Sequence, residues 1–591
     1  MSDAAADDIL QYYKRELAYL RKQGADFAQR YPKVAAGLAL HGNESLDPHT
    51  ERLIESVAFL AARVHRDLDQ SFPQIASALL DHVCPSIVQP VPSMSVVQLD
   101  LDARQGKVTS GYRVPRHTGV HAQTHDGETC RFRTAWDATL WPIRVAATTL
   151  LDEGTLCLTV ETVGDADLSE LDIDRLRLHL QGDWMETMPV YELLVGGIRD
   201  IHVRRRDGTT LAVACDAWRE VGYGADDMVL SPPNHAYVPY VLLQEYFAFP
   251  QKFLFFDLTL PPGALGTGRT ADITLRFGRS TRHVKTLAKT LFQLGCVPIV
   301  NLFKRSSEPI VFDRRHYEYP LVADLKRDAT TEIYAIESVV AIDPMSDRAV
   351  PIESFTTSED RARRIASPLG TVFWSARREH SVRQHVSGTE LFISFVDVRN
   401  MPRCPSEPVV YVDLLCTNRR LAEQVPKGAL MRVESGSRNV HVNGLYEPTA
   451  PHDPPLGSAS LWRLVSLLTL NYRSLTDESD GVGKLRDMLA LFATDSHRNH
   501  EQIHGISAMT TRAATARVGE EGWRGFCRGT EIVLEFEEGA FVGGSPLLLA
   551  AILARFFAMY TSVNSFVRLT ARRGDETWNH WDAMSGRQRL L

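Results

Sequence analysis

PSIVQPVPSMSVVQLDLD, residues 85–102, divides the chain into two kinds of sequence. Pro85, Pro90 and Pro92 exclude a continuing helix, because proline lacks the amide proton and clashes with the preceding turn. The apolar period differs on the two sides. Upstream, Leu10, Tyr13, Leu17, Leu20, Gly24 and Phe27 recur at alternating steps of three and four, the stripe of a helix. Lys14, Arg15, Arg21 and Lys22 take its other face, and Pro32 ends it. Asp47-Pro48 is a start signal, an N-cap carboxylate followed by proline at the first helical position. The helix it opens carries Leu53, Val57, Leu60, Val64 and Leu68 on a near-heptad stripe, and the spacing predicts a third helix over 74–83. Downstream, SMSVVQLDLD (93–102), LCLTVETV (156–163), RLRLHLQG (175–182) and ADITLRF (271–277) alternate with the strand period.

The rest of the chain extends this pattern. HVKTLAKTLFQLGCVPIVNLF (283–303) reads as a helix or a buried strand, and PTAPHDPP (448–455) as a linker. LWRLVSLLTLNYRSL (461–475) and VGKLRDMLALFA (482–493) are helical runs. Thr494–Gly505, rich in His and Asn, is expected as an exposed loop. GTEIVLEFEE (529–538), a helix over 546–560 and FVRLTARR (566–573) make a strand–helix–strand end, with Leu549, Ile552, Leu553, Phe556 and Tyr560 on one helix face. The fold class is therefore multidomain α+β. The expected domains are a helical segment over 1–92, β-rich domains over 93–282 and 283–447, a linker with helices over 448–509, and a small α/β domain over 510–591. The narrow stripes suit helix-against-helix packing, either in an internal hairpin or in a bundle shared with other chains.

Composition narrows the function. A chain of 591 residues exceeds what one core supports, and 44% apolar with 23% charged residues is ordinary globular usage. A net charge of −8 and pI near 6.2 give no nucleic-acid footprint. The basic runs 204–206 and 361–364 read as solvated faces. The amino terminus has no secretory leader pattern, and no stretch reaches the length of a membrane span. The eight cysteines form no CxxC pair and read as buried small hydrophobes in a reducing compartment.

One catalytic motif is present. His500-Glu501-Gln502-Ile503-His504 matches HExxH, in which two histidines on one helix face hold zinc and the glutamate acts as base. Asp495, Ser496, Asn499 and Gly505 argue against a continuous helix here, and no G-x-x-H follows at metzincin spacing. Glu520 and Glu521 sit between glycines. No phosphate-binding loop, dinucleotide fingerprint or nucleophile elbow occurs, and no cofactor is expected. The alternatives are a zinc-dependent hydrolase using His500 and His504, or a free-standing β-rich binding module.

YYKRELAYLRKQGADFAQRYPKVA (12–35), DPHTERLIESVAFLAARVHRDLD (47–69) and PSIVQPVPSMSVVQ (85–98) resemble the amino-terminal signature of the TssF (ImpG/VasA) family of type VI secretion baseplate subunits. LLQEYFAFPQKFLFFDL (242–258), GCVPIVNLFKRSSEPI (295–310) and EYPLVADLKR (318–327) are similar to its middle. LWRLVSLLTLNYRSL, GFCRGTEIVLEFEEGAFVGGSPLLL (525–549) and YTSVNSFVRL (560–569) are similar to its end. The resemblance implies a mechanical, non-enzymatic subunit related to phage-tail wedge proteins. Its implied partners are TssG, a second TssF copy, TssE, the TssK adaptor and the VgrG spike, with the sheath and inner tube beyond. It also implies a cytoplasmic position at the inner membrane, reached through the baseplate–membrane complex. On this reading Leu10, Tyr13, Leu17, Leu20, Phe27, Leu53, Val57, Leu60 and Val64 are the candidate partner-binding residues, and the proline-rich stretches 85–92 and 448–455 are joints.

Overall fold

In the computed structural model, residues 2–586 are described apart from 38–39, 42–43, 46, 102–108, 231–237, 280, 282–283, 285–286, 313–315, 344, 346–347, 356–370, 384–385, 398–400, 435–439, 458–460, 463, 467–480, 494–495, 519–524 and 575. For 2–9, 11, 36–37, 40–41, 44–45, 66–79, 81–83, 348 and 538 the backbone alone is described. The basic run at 361–364 and the end of the helical run 461–475 lie outside the described residues. The chain forms two compact units, Met1–Asp81 with Pro455–Ser466, and His82–Pro454 with Leu467–Leu591.

In the first unit, α1 (Ser2–Arg30) is followed by the short α2 (Pro32–Gly37) and by α3 (Pro48–Val83). Asp47 caps α3 as its sequence predicts: its carboxylate accepts from the His49 amide and the Thr50 hydroxyl, both at 3.0 Å. The break expected between two helices near residue 70 is absent. α3 is one helix of 36 residues, roughly 54 Å long, and runs through position 73. An internal proline removes one hydrogen bond, and a helix of this length has many others.

The second unit is organised by a closed barrel whose strands come from widely separated parts of the sequence. Met94–Leu101 pairs with Cys296–Val300 on one side and Val440–Gly444 on the other. Leu430–Val433, Gly119–Gln123 and Thr129–Thr134 complete the ring, which closes where Thr134 meets Ile299. Two long insertions leave this ring. One lies between Thr134 and Cys296. It holds a five-stranded sheet, a four-stranded sheet, α5 (Trp184–Gly196) and α6 (Val238–Ala248). The other lies between Val300 and Leu430 and builds the eight-stranded sheet around Val409–Thr417 and Glu332–Asp343.

The ranges 93–282 and 283–447 therefore share one barrel and are not two separate domains, because alternation marks a strand without naming its partner. Within 283–303 the buried-strand alternative is the one observed at Cys296–Val300. The expected joints are ordered and partly buried. Pro85–Val88 is a buried helical turn, α4, and Val91 pairs with His452 through hydrogen bonds of 2.8 and 3.0 Å. Proline-rich composition there reflects irregular backbone packed on the barrel. Of the cysteines, 84, 130, 157, 296 and 416 are buried as expected, but Cys215 is exposed.

The carboxy-terminal sheet has the order Ile506–Val518, Gly525–Phe536, Ser565–Arg573, Glu576–Ser585. Its central pair is parallel, joined by the crossover helix Pro546–Tyr560. That helix is α9, following α7 (Gly481–Phe492) and α8 (His497–His504). α9 covers its own sheet and is buried around nearly its whole circumference. Tyr240 of α6 stacks on Phe492 and lies against Phe556 and Tyr560. Residues 510–591 are thus continuous with the rest of the unit. Arg555, the charged residue of α9, pairs with Glu220 over the Tyr223 ring.

Two buried polar groups fix loops to this framework. Glu245, fully buried in α6, accepts from the Val229 and Leu230 amides, each at 2.7 Å, and pairs with buried Lys252. His179 is fully buried, with Nε2 3.1 Å from the Tyr446 hydroxyl, and burial pushes its pKa down to about 3. Phe556→Ala should cost about 3–5 kcal/mol, read as a lower denaturation midpoint, because the ring is fully enclosed. His179 stays neutral when folded but charges near pH 6.5 when unfolded, so its contribution is complete above that pH and is lost as the pH falls towards 3. His179→Gln should flatten the rise of unfolding free energy between about pH 5 and 6.5, by up to about 1.4 kcal/mol per pH unit.

Candidate partner-docking surface

The helical hairpin presents two different faces. At about 100° per residue, Glu51, Ile54, Glu55, Ala58, Ala61 and Ala62 fall on one side of α3. Ala58 and Ala62 there have no exposed surface. Alanines four residues apart leave room for a neighbouring backbone. On α1, Tyr13, Leu17 and Leu20 are half-buried and Glu16 is buried. Polar contacts register the two helices. Glu16 Oε1 lies 2.9 Å from His65 Nδ1, and Arg21 donates to Glu51 Oε1 through Nε at 3.1 Å and Nη2 at 2.6 Å. At the hairpin end, the His49 amide and the Thr50 hydroxyl hold the Asp47 carboxyl below the usual range.

Leu53, Val57, Leu60 and Val64 lie elsewhere. They occupy an arc of about 60° centred roughly 130° around the helix from Ala58. Leu53 is 67% exposed and Leu60 62%. Leu10 and Phe27 of α1 are exposed too, so the expected set divides between the hairpin contact and the outer surface. Tyr19, Tyr31, Val34 and Phe59 are further exposed apolar residues that the stripe reading missed. The alanine pair 58/62 was the available signal: a helix with apolar residues on one side and small ones on the other can make two contacts. A row at i, i+4, i+7 and i+11 with its apolar surface in water suits insertion into a groove or bundle.

The HExxH segment is helical, which corrects the expected loop. α8 forms because Asn499, Gln502 and Ile503 bury one side of it, a stripe hidden among polar residues. His500, Glu501 and His504 point outward and are exposed, and Glu501 pairs with His497 at 3.2 Å. Among the described residues, no group of three or more His, Cys, Asp or Glu is placed to hold a metal ion. The Arg204–Arg206 run is partly used internally. Arg204 pairs with Asp272 at 2.7 Å, and Arg205 donates to the Gly263 and Ala264 carbonyls.

Comparison with known proteins gives a consistent result. A family model described as "Type VI secretion system, TssF" matches residues 5–588. "Type VI secretion system component TssF1" of Pseudomonas aeruginosa PAO1 is 31% identical over 613 aligned positions, covering 98% of each chain. A chain from the cryo-electron microscopy structure of the TssK-TssF-TssG baseplate subcomplex superposes with a TM-score of 0.73 at 22% identity, covering 91% of this chain and all of that one. A chain from the baseplate complex of the type VI secretion system gives 0.58 at 22% identity, over 99% of this chain and all of that one.

Ala62→Leu, which overfills a fully buried position of α3, should lower thermal stability by about 1–3 kcal/mol, whereas Leu60→Ser should change it by less than about 0.5 kcal/mol. Equal losses in circular-dichroism melts would show that both positions face the same environment. The purified chain should carry far less than about one zinc per molecule by elemental analysis, and His500→Ala with His504→Ala should leave that value unchanged. Stoichiometric zinc lost in the double variant would restore the hydrolase reading.

Proposed function

The chain belongs to the TssF family of the type VI secretion system, and we propose that it is a structural subunit of the baseplate wedge, acting mechanically and not as an enzyme. The observation that carries this is the solvent-facing row Leu53, Val57, Leu60 and Val64 on a helix whose other side is already buried at Ala58 and Ala62 and tied to α1 by the Glu16–His65 and Arg21–Glu51 pairs. A helix buried along one side that carries a second apolar stripe has surface to share with another chain. In this proposal the stripe enters a helical bundle with TssG and with a second copy of the chain. The solved relative's complex with TssK and TssG supports that choice.

The same reading gives the remaining partners. TssK would lead towards the membrane complex, and TssE, the VgrG spike, the sheath and the inner tube would meet other surfaces of the wedge. The barrel with its two insertions suits this work, because strands closed into a ring transmit load without an exposed edge at the centre. Among the described residues, no helix is long and apolar enough to cross a membrane. We place the chain in the cytoplasm, brought to the inner membrane by its partners.

Co-expression with TssG followed by size-exclusion chromatography tests the reading. Leu53→Asp with Leu60→Asp should leave the isolated chain folded by circular dichroism, since both side chains already face water. The same pair should abolish co-elution with TssG, because each buried carboxylate in a bundle costs several kcal/mol. Undiminished co-elution and intact secretion would remove the hairpin from the assembly.

A further inference from the structure

A polar cavity of about 200 Å³ lies where α5, α6, α8 and the start of α9 converge, lined by Trp184, Tyr246, Arg498, Gln502, Gly544 and Ser545 among others. Arg498 is half-buried with its guanidinium 4.7 Å from the Trp184 ring centroid. Stacking on an indole fixes the guanidinium plane and leaves its N–H edge to bind. Among the described residues, Arg498 has neither a carboxylate partner nor a hydrogen bond from its guanidinium, and its Nε is enclosed without an acceptor. Burial accordingly works against its charge. An uncompensated guanidinium inside a protein is costly, and elsewhere in this chain the buried cation Lys252 has its carboxylate.

The surroundings supply a second donor. Gln502 is 3% exposed, and its Oε1 accepts from the Tyr246 hydroxyl at 3.1 Å, which commits the carboxamide oxygen and leaves the amide N–H groups. Those groups lie beside Gly544. A Cβ on Gly544 would sit 2.4 Å from Gln502 Nε2 and 3.6 Å from Arg498 Nη2, so the bare glycine is what lets the carboxamide lie against the backbone there, beside the guanidinium. Ser545 Oγ, also at the rim, donates to Glu192 Oε1 at 2.7 Å, which engages that carboxylate with the serine. The volume equals that of roughly seven waters, enough for one compact oxyanion and its hydration.

We propose that this cavity binds a compact oxyanion, a phosphate or carboxylate group, between the Arg498 guanidinium and the Gln502 amide. A planar guanidinium meets two oxygens of such a group at once, and the neighbouring amide adds a neutral donor. The site is independent of the hairpin and of the wedge reading.

The test uses the full-length chain, titrated with sodium phosphate, sodium acetate and sodium chloride at matched ionic strength, following melting temperature and tryptophan fluorescence. A saturable response to phosphate alone assigns a phosphate group. A saturable response to acetate assigns a carboxylate, such as an acidic side chain presented by another protein. Arg498→Gln should weaken the response by at least about tenfold and Arg498→Lys should restore part of it. Trp184→Phe should remove the fluorescence change while keeping the thermal shift. A response to either anion no different from chloride overturns the proposal without reference to any variant. A response unchanged in a folded Arg498→Gln chain also overturns it.

Discussion

Asn301 and Asn418 hold the point where the second insertion, the one that builds the eight-stranded sheet, leaves the barrel and returns to it. Asn301 Nδ2 donates to the Arg131 carbonyl at 2.7 Å and to Asn418 Oδ1 at 2.9 Å, while the Asn418 amide donates to Asn301 Oδ1 at 2.7 Å. The Arg131 amide completes the set by donating to Asn418 Oδ1 at 2.9 Å. Both asparagines are buried, so each unmade bond would leave a desolvated polar group at a cost of about 1–3 kcal/mol. Next to this joint, Arg419 sits at a φ of 49° and donates to the Thr331 and Thr389 carbonyls, and the Glu332 carboxylate accepts from the Thr389 amide. One short polar junction thus sets the seating of the eight-stranded sheet on the ring.

How much of this was readable beforehand varied with the range of the interaction. Caps and periods are local, so Asp47-Pro48, the helix 546–560 and the strands near 94, 156, 175 and 271 stand where the residues put them. The closed barrel is not local. Nothing in the alternation of 93–102 says that its neighbours are 296–300 and 440–444, and the proline content of 448–455 suggests a joint although its backbone pairs with Val91. α8 was missed because its buried side consists of Asn499, Gln502 and Ile503, of which only one is apolar. Gln502 is buried by virtue of its bond to Tyr246, a contact made across 256 residues.

The hairpin shows the same limit from the other direction. The stripes were identified, but periodicity cannot separate a face that meets a neighbour in the same chain from one that meets water. The discriminating residues are small or charged. Ala58 and Ala62 lie on the buried side, and Glu16 is tolerated inside because His65 and Arg15 are beside it. Larger apolar residues are then displaced outward, where they add nothing to the stability of the isolated chain. Arg498 belongs to the same class of residue: its place against Trp184 is set by tertiary packing, and no spacing announces it.

The ring of non-contiguous strands also sets a timetable for synthesis. Met94 bonds through its amide to Thr449 Oγ1, a partner 355 residues further along. At about 5–20 residues per second, the first barrel strands wait roughly 20–70 s for the last one to leave the ribosome. The insertions can collapse sooner, since each sheet they contain draws mainly on neighbouring sequence. Once the second insertion has folded, its ends are pinned at Asn301 and Asn418, and the loop that the barrel must close becomes effectively short. The order of assembly is therefore outer parts first and hub last. Until the hub forms, strands as apolar as Cys296–Val300 stand uncovered in the nascent chain, which makes its production sensitive to chaperone supply and translation speed.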